Sequence, residues 1–152
     1  MNEEVYQSNI DAILRLFSDE KYTEAIEALS NLDNKYPNRL QIVIGESQDT
    51  VPLFSERHPH VKFDLIFIDG AHWEPIPKLD LENCRKLAHE NTIILFDDTC
   101  YSKELKRYWN EYPTKVWTEA IEKNEIVELG RKDFDSGRGM SWGKYVFDSE
   151  II

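Results

Sequence analysis

The sequence predicts an α/β domain built around a parallel sheet, and three observations carry that prediction. Three short apolar runs, Leu40–Ile44, Phe63–Ile68 and Thr92–Phe96, each end at a glycine or an aspartate. Stretches with helical spacing separate them. The runs are continuously apolar rather than alternating, the pattern of strands buried on both faces of a sheet.

The elements follow in order. Ile10, Ile13, Leu14 and Phe17 fall at i, i+3, i+4 and i+7, one face of a helix, with Ser8 as a cap. Tyr22, Ala25, Ile26 and Leu29 repeat the pattern until Tyr36-Pro37-Asn38 stops it. Leu40–Ile44 is β-branched and reads as a strand ending at Gly45. Gln48–Glu56 fits a short helix. Phe63–Ile68 is the second strand and ends at Asp69-Gly70. Pro77–Ala88 reads as a helix whose prolines sit near its start, where a missing N–H costs little. Thr92–Phe96 is the third strand and ends at Asp97-Asp98. Beyond it, Ser102–Trp109 and Thr114–Lys123 look helical, while Ile126–Leu129 and Trp142–Phe147 form an antiparallel hairpin around a glycine-containing loop.

A chain of 152 residues suits one domain, 1–152, with a helical amino-terminal segment over 1–38 and the sheet domain over 39–148. With 29 acids against 18 bases the formal charge is −11, which repels phosphate backbones and anionic lipid headgroups. Neither nucleic acid nor a membrane surface is an expected partner; a small-molecule substrate is. The acidic, polar start of the chain is neither a signal nor a transit peptide, and no apolar run is long enough to span a bilayer. Cys84 and Cys100 have no metal-binding spacing and read as reduced thiols of a cytoplasmic protein.

The strongest chemical signal is where acids fall. In an open α/β sheet, ligands bind outside the carboxyl ends of the strands. Asp69 ends one strand, Asp97 and Asp98 the next, and neighbouring strands lie about 4.8 Å apart. Three carboxylates converging there suit a hard cation, Mg²⁺ or Ca²⁺. Read one at a time, such acids more often cap helices and make turns; together, the two readings stand near even.

Three segments, Gly45-Glu46-Ser47-Gln48-Asp49-Thr50-Val51-Pro52, Phe63–His72 and Ile94–Thr99, are similar in order and spacing to catechol O-methyltransferase and related small-molecule O-methyltransferases. The resemblance covers roughly the middle two-fifths of the chain. It implies a three-layer, Rossmann-like class I methyltransferase sheet, truncated at the amino end, and S-adenosylmethionine (SAM) as cofactor. It puts Ser47 and Gln48 against the adenine, with Gly45 allowing close backbone approach and Glu46 beside the adenine amine or facing solvent. Asp69 falls at the cofactor and metal position, and Asp97 and Asp98 at the other metal positions, implying Mg²⁺ that polarises a substrate hydroxyl. His72 occupies the offset of that family's general base, where an imidazole takes a proton near neutral pH.

One departure is plain. All six glycines lie at or after Gly45, so the first 44 residues cannot form the glycine-rich turn that cradles the methionine half of SAM. Asp19–Leu29 is instead similar to half of a tetratricopeptide repeat, although one helical pair makes no array. Three function classes follow: a SAM-dependent O-methyltransferase acting on a small-molecule hydroxyl, a catalytically dead or truncated remnant serving as scaffold, and a helical interaction module. A sheet lacking its first strand leaves a gap. It closes by a shift of the Leu40 strand or by a homo-oligomeric or complementing chain, or else the chain is a gene-model fragment.

Overall fold

The computed structural model describes residues 22–35, 37, 41, 43–134 and 137–147. The chain divides into two compact units, Met1–Ile44 and Gly45–Ile152. In the first, α1 spans Tyr22–Lys35, as the spacing of Tyr22, Ala25, Ile26 and Leu29 predicts. The helix expected over Ile10–Phe17 lies outside the described residues. Of the strand expected at Leu40–Ile44, Leu40 and Ile42 lie outside them too, while Gln41, Val43 and Ile44 are exposed and in no strand. That expectation is corrected for the residues described. A β-branched run forms a strand only when a neighbour takes its hydrogen bonds, and no described strand is such a neighbour.

The second unit holds the sheet. Its elements run α2 (Ser47–Arg57), β1 (Phe63–Ile68), α3 (Ile76–Cys84) continued by a 3₁₀ turn (Arg85–Leu87), β2 (Ala88–Asp97), α4 (Tyr108–Glu122), β3 (Ile126–Asp133) and β4 (Gly139–Tyr145). The sheet order is β1-β2-β4-β3. β1 and β2 are parallel, with Ile66 opposite Ile94 and Ile68 opposite Phe96. β4 returns antiparallel to β2, and β3 and β4 form the expected hairpin. The architecture is α/β with a mixed four-stranded sheet, consistent with a Rossmann-like methyltransferase fold truncated on one side.

Sequence and packing explain the local choices. The two parallel runs alternate in burial, so Ile66, Ile68, Ile94 and Phe96 face α3 and α4. Trp117 of α4 is fully buried, stacks on Phe96 at 5.4 Å and donates its indole N–H to Glu128. Thr92 closes the irregular start of β2, donating to the Phe63 carbonyl and accepting from the His89 N–H. Gly143 has no room for a side chain, because a Cβ would lie 2.4 Å from the Val127 carbonyl oxygen.

A second expectation differs from the structure. Residues 102–107 are not helical: Asp133 accepts the Tyr101 and Ser102 N–H groups, and α4 starts only at Tyr108. The Arg107 N–H goes to the Asn110 side chain, a capping box that sets the start of the helix.

Candidate functional site

The carboxyl ends of β1 and β2 lie side by side, so the loops that follow them meet. After Ile68 the chain runs Asp69-Gly70-Ala71-His72; after Asp97 it turns at Asp98, whose positive φ of 54° lets the backbone double back. Asp98 is fully buried. The His72 Nε2 lies 2.8 Å from Asp98 Oδ2, and Arg138 Nη1 lies 3.2 Å from both Asp98 oxygens. One candidate ligand atom each from Asp69, His72 and Asp98 falls within 4.8 Å of the others. The structure therefore brings together Asp69, Asp98 and His72; Asp97 stands beside the cluster but outside that trio.

The electrostatics follow from crowding. Burial, and then the Asp98 carboxylate, raise the Asp69 pKa above its usual value, while His72 and Arg138 pull it back. Asp97 is raised by burial, and then by Asp69. Asp98 is raised by burial and by Asp97, against the opposing charges of Arg138 and His72. Three carboxylates in one place want a cation, and Arg138 already supplies one.

Arg138 is the functional residue that sequence reasoning missed. Its placement is built from below. Gly139 packs where a Cβ would lie 2.0 Å from the Thr99 carbonyl oxygen, so the start of β4 has no room for a side chain there. Gly137 takes a positive φ of 83°. Buried Asn110 donates to the Gly137 carbonyl at 2.6 Å and accepts the Arg107 N–H at 2.9 Å, tying the loop to the start of α4. Thr99 and Ser141 share a buried hydroxyl contact of 2.8 Å beneath it. The signal was present: an arginine between two glycines, opposite an acidic strand end, in a chain of −11.

The residues expected to face adenine sit at the start of α2. Gly45 has φ +145°, and a Cβ there would lie 2.7 Å from Thr50. The Glu46 carbonyl accepts the N–H groups of Asp49 and Thr50 as the helix begins, and its side chain is exposed. Ser47 and Gln48 are half-buried. Ser47 hydrogen-bonds the side chain of Asp80 on α3, which is 5% exposed. Asp80 Oδ2 in turn lies 2.8 Å from where a Gly70 Cβ would be, so Gly70 leaves the room this carboxyl fills. Asp80 thereby bridges the α2 start and the Asp69–His72 loop. Its Oδ1 is buried without a partner. Both cysteines are free, and burial pushes the Cys84 thiol up to about 12, well away from reactivity.

A half-sheet of Rossmann-like topology, with acids and a histidine at the strand ends, is the frame of a class I methyltransferase. A family model described as a methyltransferase domain matches residues 4–99, most of the chain, and the protein belongs to that family. The match includes residues 4–44, which contain no glycine. The chain is thus a SAM-dependent methyltransferase-like protein. No curated protein matches it. No helix among the described residues is long and apolar enough to cross a membrane.

The residues fit the two expected ligands unequally. Gly45 has no space for a side chain, and the half-buried Ser47 and Gln48 offer hydrogen-bonding groups of the kind the edge of an adenine takes. Two carboxylates and an imidazole suit a divalent ion that tolerates nitrogen, Mn²⁺ or Zn²⁺, better than all-oxygen Mg²⁺.

Proposed function

We propose that the chain transfers a methyl group from SAM to a hydroxyl of a small molecule. The observation that carries the reading is the contact of His72 Nε2 with buried Asp98, at the strand ends of a methyltransferase-family sheet. Gly45, Glu46, Ser47 and Gln48 take the adenine side, with Asp69 at the strand end towards the reacting centre. SAM, when bound, supplies an electrophilic methyl on its sulfonium. His72 takes the substrate's hydroxyl proton at Nδ1, the ring nitrogen turned away from Asp98. The resulting imidazolium is stabilised by Asp98 at 2.8 Å. Arg138, on both oxygens of Asp98, opposes the burial that raises that carboxyl's pKa and holds it in place.

A divalent ion held by Asp69, His72 and Asp98, with Asp97 beside them, is the second arrangement of the same site. Mg²⁺ is the ion that the resemblance implies, and Mn²⁺ the ion the imidazole favours. The two arrangements exclude each other at His72. With the ion on one ring nitrogen, the other carries the proton and the ring is no base.

A non-catalytic scaffold is the competing function. Arg138 favours it, since the built-in cation satisfies Asp98 with no ligand at all. Calorimetric titration of the full chain with SAM and S-adenosylhomocysteine, with and without Mn²⁺ or Mg²⁺, separates them. Heat of binding followed by methyl transfer to a panel of small hydroxyl compounds supports the enzyme. No heat at millimolar ligand refutes it for this chain.

A further inference from the structure

Asp80 is a buried acid that the proton chemistry of the site does not use. It joins two parts of one unit, Gly45–Ile152. A Cβ on Gly70 would lie 2.8 Å from Asp80 Oδ2, so the carboxyl is seated in the space that this glycine leaves beside the Asp69–His72 loop. It also takes a hydrogen bond from Ser47, in the first turn of α2. Among the described residues its Oδ1 is buried without a partner, so the carboxyl's need for a donor falls on Ser47.

The direction of that bond has a chemical consequence. A carboxylate has lone pairs and no proton, so the hydroxyl is the donor. The bond favours the ionised carboxyl, as a donated proton does. The Ser47 proton is then spent inside the protein, and its Oγ meets any ligand with lone pairs only. Its neighbours cannot set the polarity of the site in this way. The Glu46 side chain is exposed, and the Gln48 amide presents either its oxygen or its NH₂ by turning over. Adenine carries acceptors at its free ring nitrogens and its donor at the 6-amino group. An oxygen that can only accept pairs with that base only at the amino group.

We propose that Asp80 is a positioning residue that makes the cofactor site selective for a 6-amino purine. By taking the Ser47 proton it leaves Ser47 Oγ an acceptor. A 6-oxo purine in the same place would set lone pair against lone pair. On the reading that Gly45, Glu46, Ser47 and Gln48 take the adenine side of SAM, on which this rests, Ser47 Oγ is the discriminating atom and Asp80 acts through it.

Calorimetric titration of the full chain with S-adenosylhomocysteine and with its 6-oxo analogue, S-inosylhomocysteine, tests it. The wild type is expected to bind the adenosyl compound ~10- to 100-fold more tightly, since the oxo group leaves the acceptor unpaired. Asp80→Leu frees the Ser47 proton to turn towards the ligand, and the preference should fall to within about 3-fold. A merely structural loss would weaken both ligands alike and leave their ratio unchanged. Ser47→Ala, at a half-buried position, removes the hydroxyl itself and should flatten the preference in the same way, so the test stands even if Asp80→Leu does not fold. Asp80→Leu added to Ser47→Ala should change the ratio no further, because both act on one contact. A wild type that binds both ligands alike overturns the proposal while SAM binding stands. So does an Asp80→Leu or Ser47→Ala chain that keeps the wild-type ratio. A wild type that binds neither ligand refutes the SAM reading and the proposal with it.

Discussion

Asp80→Asn should stabilise the protein at neutral pH and do nothing for it in mild acid. Asp80 is 5% exposed, and its Oδ1 has no hydrogen-bond partner. Burial raises its pKa above 3.8, more than the Ser47 hydrogen bond lowers it. The folded state therefore binds this proton more tightly than the unfolded chain. The group's contribution is fully present below pH 3.8 and is lost as pH rises through the folded value. An unsatisfied buried polar group costs about 1–3 kcal/mol, more when charged, and an amide of the same shape removes the charge. The stability gap between Asp80→Asn and wild type should thus open upward from about pH 4 to roughly 1–3 kcal/mol near pH 7. Urea unfolding across that range, read by tryptophan fluorescence, measures it. A gap independent of pH, or a variant less stable than wild type at pH 7, would refute the reasoning. It would mean that the Asp80 carboxylate is satisfied by something its neighbours do not show.

Three further outcomes follow from the site and its supports. Arg138→Ala leaves buried Asp98 without its cation; because the arginine is more than half exposed, the loss is discounted to about 1–2 kcal/mol. In that variant Mn²⁺ should raise Tm more than in wild type, relative to NaCl at matched ionic strength, and Asp98→Asn should abolish the difference. Gly139→Ala drives a methyl into the Thr99 carbonyl and should cost about 3 kcal/mol or more by displacing β4 from β2, seen as a lowered urea midpoint. Trp117→Phe removes the indole bond to Glu128 and part of a fully buried ring, for a loss of about 2–3 kcal/mol by the same assay.

How much of this was legible depended on the range of the forces involved. Phe63–Ile68 was readable to the residue, because a continuous apolar run ended by Asp-Gly has few other fates. The hairpin was legible as two strands around a glycine-containing loop, although β4 runs Gly139–Tyr145 rather than from Trp142. The start of α4 was not legible, because Arg107 caps it through a capping box with Asn110, and arginine is no customary N-cap residue. The site was half legible. Asp69, Asp98 and His72 were readable from their offsets at strand ends. Arg138 comes from a loop forty residues beyond its partner and reaches it only because Gly139 lets the hairpin dock against Thr99.

The division of the site decides which measurement carries the functional reading. The residues proposed to handle a proton or a cation, Asp69, His72, Asp97, Asp98 and Arg138, belong to the sheet unit and are held by contacts within it. What would hold the adenine also begins in that unit, at Gly45, and is tied to the acid loop through Ser47 and Asp80. The proposed proton-handling cluster and the proposed adenine side can therefore be tested apart. If the protein is an enzyme, removing His72 should lower turnover at saturating SAM without changing SAM binding. If it is a scaffold, the cluster should be replaceable by hydrogen-bonded neutral residues with no loss beyond stability. Affinity and turnover measured separately distinguish the two; a single activity at one SAM concentration does not.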